Sequence, residues 1–187
     1  MSKQEQKKIN IINKTIELCS KYGFHGTSMD NITSATGVSK ATIYKYFNSK
    51  ENLIAEALAI FSQQAIEKLE LLYRDNTLTL EQKLSSRFDG LLDLFNRHAF
   101  HGCYFQLAYS EFNQIDPNIG QICSGYKQKR LTMLDELLQN EGIKDPTYKA
   151  KQAELIFNGL LATLQITEDQ SLIPIAKDMY LTAILKS

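Results

Sequence analysis

The 187-residue chain has no tryptophan, three prolines, three cysteines and no long apolar run. Its longest stretches without a charged side chain, His98 to Ser110 and Leu155 to Thr167, are thirteen residues each. A membrane-spanning helix needs about 20 consecutive apolar residues, so no transmembrane segment is expected. The N-terminus, Met1-Ser-Lys-Gln-Glu-Gln-Lys-Lys8, is polar throughout and leads into no apolar signal core, which points to a cytoplasmic location. The cysteines at 19, 103 and 123 are odd in number and form no C-x-x-C pair, so they cannot staple a secreted scaffold. Cys19 and Cys123 read as buried small hydrophobes. His98 and His101 are three apart with Cys103 beyond, but Gly102 interrupts them and no carboxylate is close, so neither a metal nor another cofactor is expected. The chain also lacks a nucleophile–base pair and a phosphate-binding glycine loop, which argues against an enzyme.

A net charge of zero hides a division by position. Residues 1–50 carry eight lysines, no arginine and only Glu5, Glu17 and Asp30 as acids, which leaves +5. Residues 51–187 carry 13 basic against 18 acidic side chains, which leaves −5. A basic front quarter on an acidic remainder is the layout of a phosphate-binding module joined to a domain of another kind.

What is present is helical periodicity. No apolar/polar alternation is long enough for a half-buried strand, while apolar residues recur three and four apart between glycine and proline breaks. The spacing predicts a first helix with Ile9, Ile12, Ile16 and Cys19 on its inner stripe, widened by Leu18 and Tyr22 and stopped at Gly23. Thr27 or Ser28 can cap a short second helix with Met29, Ile32 and Ala35 on one face. Gly37 reverses the chain, and Ser39 caps a third helix through Phe47. Two short helices about a glycine turn, clamped by the first, make a helix-turn-helix. A long connecting helix follows, with an apolar stripe from Leu53 to Leu71. Helical patterns then run over about 80–98, 103–113, 118–141, 147–166 and 171–185. The expected fold is all-α: a DNA-binding domain over 1–50 and a helical domain over 51–187, about nine helices in all.

A recognition helix presents its first turn to base edges while flanking side chains grip phosphates. Here Ser39, Lys40 and Thr42 form that turn, Tyr44, Lys45 and Tyr46 follow, and Lys50 opens the long helix. Ile43 and Phe47, four apart, are the inward face. These residues strongly resemble the tetracycline-repressor (TetR) family of bacterial transcription regulators. The match is Gly23-Phe-His-Gly-Thr-Ser-Met-Asp-Asn-Ile32, Thr36-Gly-Val-Ser39 and Ala41-Thr-Ile-Tyr-Lys-Tyr-Phe-Asn-Ser-Lys-Glu-Asn-Leu53. Ala41 departs from the usual glycine, Thr36 from alanine and Thr33 from a small residue. The resemblance implies a homodimer on a near-palindromic double-stranded operator, repressing transcription until a small-molecule effector enters the C-terminal domain. It carries DNA contact onto Thr27, Ser39, Lys40, Thr42, Tyr44, Lys45, Tyr46 and Lys50. It also implies that a ligand beside the 80–113 segment would push the long helix and misalign the two heads.

The effector half is rich in large side chains. Phe88, Leu92, Phe95, Tyr104, Tyr109, Phe157 and Gln165 are candidates to line an apolar pocket with a few polar anchors, which suits an apolar or aromatic effector. Arg97-His-Ala-Phe-His-Gly-Cys-Tyr-Phe105 resembles a Gly-Cys segment at the start of the sixth helix in one branch of the family. Some of those relatives sense oxidants or electrophiles through a cysteine there, which makes Cys103 an alternative switch. A thiol at a helix N-terminus meets exposed N–H groups that favour thiolate. Family analogy places the dimer interface on the last two helices, with Ala153, Ile156, Phe157, Leu160, Leu161 and Leu164 on one. Ile173, Ala176, Met179, Tyr180, Ala183 and Ile184 line the other. The alternative for that pair is interior packing in a monomer.

Overall fold

A computed structural model describes residues 2–186, and the described residues form nine helices and no strand. In chain order they are α1 (Lys3–Tyr22), α2 (Met29–Thr36), α3 (Lys40–Phe47), α4 (Lys50–Arg74), α5 (Leu80–Asn96), α6 (Tyr104–Phe112), α7 (Pro117–Asn140), α8 (Pro146–Thr167) and α9 (Leu172–Leu185). Packing groups them into two compact units. One holds the chain up to Ala65 together with Cys103–Tyr126; the other holds Ile66–Gly102 together with the chain from Lys127 onward.

In the first unit the helix boundaries follow local chemistry. Ser2 and Glu5 form a reciprocal capping box, the Ser2 hydroxyl accepting from Glu5 N–H at 3.2 Å, which starts α1 well ahead of its first apolar residue. Ser28 and Asn31 repeat the device at α2, so Ser28 rather than Thr27 is the cap. Gly37 closes α2 in the left-handed region, at φ +66°, where a side chain would be strained. The buried face of α1 is Ile11, Ile12, Thr15, Ile16 and Cys19. Ile9 and Tyr22, expected on that stripe, are exposed: Ile9 lies at the margin of a face that includes Ile11, and Tyr22 is the last residue of the helix. On α2, Met29 and Ile32 are buried and Ala35 is exposed. On α3, Ile43 and Phe47 are buried as the four-residue spacing predicts.

Packing does not break at residue 50. Leu53, Ile54, Ala57 and Leu58 of α4, with Phe105, Ala108 and Phe112 of α6, complete the core of the first unit. Helices as short as α2 and α3 are marginal alone and depend on such tertiary cover.

The second unit centres on Leu84, Phe88, Leu134, Leu138, Phe157 and Tyr180. The Phe88 ring meets Phe157 and Tyr180 edge-on, at centroid distances of 5.3 and 5.2 Å. On α4, Leu71 is 73% exposed and does not join the stripe expected to reach it. The α8 and α9 residues read as an interface are mostly internal. Ala153, Phe157, Leu160, Leu164, Ile173, Ala176, Tyr180 and Ile184 pack within this unit. The large apolar residues of α8 and α9 left in solvent include Leu155 (74% exposed), Ile166 (84%), Ile175 and Met179. Both faces of α8 are apolar, so periodicity alone does not say which one turns inward.

An ion pair crosses this core. Arg87 donates through Nη1 to Glu154 Oε1 at 2.6 Å and to the Tyr180 hydroxyl at 2.9 Å, and its guanidinium lies 3.6 Å from the Phe157 ring centroid. Burial works against the charge on Glu154, but the Arg87 guanidinium wins and holds the carboxyl below its ordinary range. Since the folded-state value is depressed, the pair's contribution is complete above the unfolded carboxyl value of about 4 and drains away as pH falls through the depressed one. Breaking a buried pair from one side leaves a bare charge. Glu154→Leu should therefore cost about 3–5 kcal/mol in denaturant unfolding at neutral pH and remove part of the acid sensitivity, while Arg87→Met with Glu154→Leu should recover most of the loss.

Candidate nucleic-acid interface

The rotation of α3 is fixed by its two buried residues, and Lys45 lies on the side opposite them. Ser39 opens the helix, its hydroxyl accepting from Thr42 N–H at 3.3 Å and lying 2.8 Å from the Thr42 hydroxyl. Lys40, Tyr44 and Lys45 are exposed, whereas Thr42 and Tyr46 are half-buried. The Tyr46 ring sits edge-on to Phe47, with centroids 6.2 Å apart. Lys40 Nζ is 3.4 Å from the Asp30 carboxylate in an exposed pair. Such a pair is worth little in water, so the ammonium can be given up to a phosphate at small cost. The face is compact, cationic and carries one aromatic hydroxyl in solvent, a composition suited to duplex DNA.

Two of the eight expected DNA-facing residues are placed differently. Thr27 is fully buried, and its hydroxyl donates to Gly23 O at 2.8 Å, so in this structure its side chain is a structural tie. Its hydroxyl looked like a free cap acceptor in the sequence, but Ser28 holds that post. Lys50 is half-buried and donates to Phe24 O at 2.7 Å. That bond takes one of its three ammonium donors.

The expected pocket residues fall in two sets. In the second unit, Phe88 and Phe157 are core, and Phe95 stacks on Phe100 at 4.8 Å. Gln165 packs against Gly102, where a Cβ would stand 2.5 Å from its side chain. Leu92 and Phe88 border an open groove of about 470 Å³, completed by Ile173 and Pro174 and rimmed by Asp89 and Lys177, which pair at 3.1 Å. Cys103, Tyr104 and Tyr109 belong to the first unit. There Tyr104 meets Phe61 edge-on at 5.8 Å, while Tyr109 is 40% exposed. Cys103 is half-buried at the start of α6, and its side chain caps no N–H. Burial pushes the Cys123 thiol up to about 12, with Cys103 adding to the rise. The same effect takes Cys19 to about 11.

Glu111 escaped the sequence reading. It lies in the last turn of α6 and bonds to the turn between α1 and α2. The available signal was a carboxylate at the helix end where the dipole disfavours it.

Residues 11–57 match the family model described as bacterial regulatory proteins, tetR family. Over 162 residues the chain is 25% identical to the HTH-type transcriptional regulator YjdC of Escherichia coli, covering 87% of this chain and 85% of that one. It is 25% identical to the biofilm operon icaADBC HTH-type negative transcriptional regulator IcaR of Staphylococcus epidermidis, over 84% of this chain and 80% of the relative. A TetR transcriptional regulator from Legionella pneumophila shares the fold with a TM-score of 0.86 at 20% identity, over 98% of each chain. From the exposed face of α3 we expect Lys40→Ala and Lys45→Ala each to make the plot of log affinity against log salt shallower by about 0.9 for every phosphate left without its lysine. Thr27→Ala should leave that slope unchanged in the same titration.

Proposed function

We propose, for a chain that belongs to the TetR family of bacterial regulatory proteins and is a DNA-binding transcriptional regulator rather than an enzyme, that it represses from a near-palindromic operator as a homodimer and is released by a small apolar or aromatic effector. The observation that carries the DNA half is the opposition across α3: Ile43 and Phe47 buried, Lys40, Tyr44 and Lys45 in solvent. Repression follows the negative regulator IcaR, similar over most of this chain. The effector half is supported by the aromatic content around α5 and α6, although Phe88 and Phe157 are committed to packing.

Dimerisation has a specific face to use. Leu155, Gly159, Ala162 and Ile166 occur at successive positions along one exposed side of α8, and Ile175 and Met179 are exposed on α9. Two small residues between two large apolar ones let a second helix approach closely and shelter the ends. Large apolar side chains this exposed mark an interaction surface. A two-fold dimer would then carry two heads to half-sites separated by roughly 34–36 Å or a somewhat larger spacing.

Oxidant release through Cys103 is a second reading. It is favoured by one observation: of the three thiols, only Cys103 is not buried. Cys103→Ser would abolish oxidant-driven DNA release on that reading, and an unchanged response would end it.

Gel shift on the DNA upstream of the chain's own gene, with and without a compound library, tests the main reading. A shift relieved by a library compound is expected; no shift would overturn it, and a shift insensitive to every compound would overturn the effector half. Light scattering should give twice the 21.3 kDa chain mass. Ala162→Glu, placed at the close approach, should return the mass to that of one chain and weaken the gel shift at least tenfold, with helical circular dichroism retained.

A further inference from the structure

Charge holds the turn between α1 and α2 from two sides. Glu111 Oε1 accepts the backbone N–H of Phe24 at 3.0 Å, and its Oε2 accepts that of His25 at 2.6 Å. Lys50 Nζ donates to the Phe24 carbonyl at 2.7 Å. Both polar groups of Phe24's backbone are thus taken by side chains, an anion from the end of α6 and a cation from the start of α4. The ring completes the arrangement: His25 Nε2 is 3.2 Å from the Glu111 carbonyl oxygen, and the imidazole lies 4.9 Å from the Phe112 ring. Phe24, fully buried, meets Phe112 edge-on at 6.1 Å.

Nothing within α6 explains a carboxylate at this position. The last turn of a helix is the negative end of its dipole, and Glu111 is only 17% exposed there. Both conditions disfavour the anion, and two charge-assisted hydrogen bonds offset them. The turn is also shaped to fit. Gly23 sits at φ +82°, and a Cβ on it would stand 3.4 Å from Glu111 Oε1, while a Cβ on Gly26 would stand 2.2 Å from the Tyr22 carbonyl oxygen. Thr27 then ties back to Gly23, and Ser28 caps α2 immediately after. The clamped peptides open the short turn that leads into α2, which carries α3 across Gly37.

We propose that Glu111 is a positioning residue for DNA recognition. With Lys50 it grips the Phe24 and His25 peptide groups and so sets the pose in which α2 and α3 meet the duplex, without touching DNA itself. The proposal rests on α3 being the DNA-reading helix.

A pose fixed in this way affects specific binding more than general attraction to phosphate. The test uses the full chain, a duplex that the wild type selects from a random pool, and a random duplex of equal length. Glu111→Ala should lose roughly tenfold in affinity for the selected duplex, the scale of one charge-assisted hydrogen bond. Affinity for the random duplex and the salt slope should stay as in wild type, and Phe24 and His25 amides should exchange faster while those of α3 keep their protection. Glu111→Gln keeps the shape and one acceptor oxygen, so it should fall between the two, and it serves if the alanine variant does not fold. Wild-type affinity for the selected duplex in both variants would overturn the proposal. So would a parallel loss on both duplexes, which is the signature of a smaller folded fraction. A wild type that selects no duplex would overturn the DNA reading itself, and the proposal with it.

Discussion

Burial of Ile43 and Phe47 is the constraint on which the proposed DNA-reading face depends. The two side chains are four residues apart, both inaccessible to solvent, and together they fix the rotation of α3 about its axis. A helix eight residues long has little other means of orientation. Once that side is committed, Lys45, two positions from each anchor, is turned to the opposite side, with Tyr44 exposed on the flank and Lys40 exposed at the helix start, and the cationic character of the face follows from packing rather than from any interaction among the lysines. Lys8, poised 5.3 Å over the Phe47 ring, adds cover to the same anchor.

The helices themselves were legible in the sequence, because their ends are written in residues with local mechanisms. Gly37 is needed for a positive φ, Ser28 and Ser39 for a cap, and Pro117 and Pro146 start helices where no N–H is required. The inward face of α3 was legible for the same kind of reason, since one side of that helix is apolar and the other is not. Faces became ambiguous where a helix is apolar on more than one side. Periodicity placed Leu160 and Tyr180 on an apolar stripe and could not tell a core from an interface, so the exposed set at Leu155, Ile166 and Ile175 came only with the fold. Thr27 failed differently: its hydroxyl satisfies Gly23 O, a bond that depends on a turn geometry no spacing rule describes. The effector candidates were chosen by residue type, and side-chain size does not separate a cavity wall from a filled core.

The two units solve the problem of buried charge in unlike ways. In the second, Arg87 and Glu154 meet directly, and the guanidinium is also roofed by aromatic rings. Burial opposes the charge, yet the neighbouring Tyr180 and Glu154 oxygens hold the guanidinium protonated. Each ion there is the other's compensation, so the pair resists change from either side. In the first unit, Glu111 and Lys50 are compensated by backbone dipoles of a turn. Neither requires the other's charge to be satisfied, and the object they stabilise is a conformation of the chain between them.

On the proposed effector-driven release, that difference bears on how firmly the DNA-reading head is posed. Turning a population from 1:99 to 99:1 takes a differential of about 5.5 kcal/mol from whatever ligand drives it. A head pose secured by extensive apolar burial would cost far more than that to abandon. A charge-assisted hydrogen bond contributes about 1.5–3 kcal/mol, so the three bonds from Glu111 and Lys50 are together comparable with that differential, before the burial of Phe24 in the same turn is added. The reading face is held by the apolar core beneath α3, while the turn that sets its approach is held by side-chain bonds to the backbone together with the burial of Phe24, so the two are secured by unlike means.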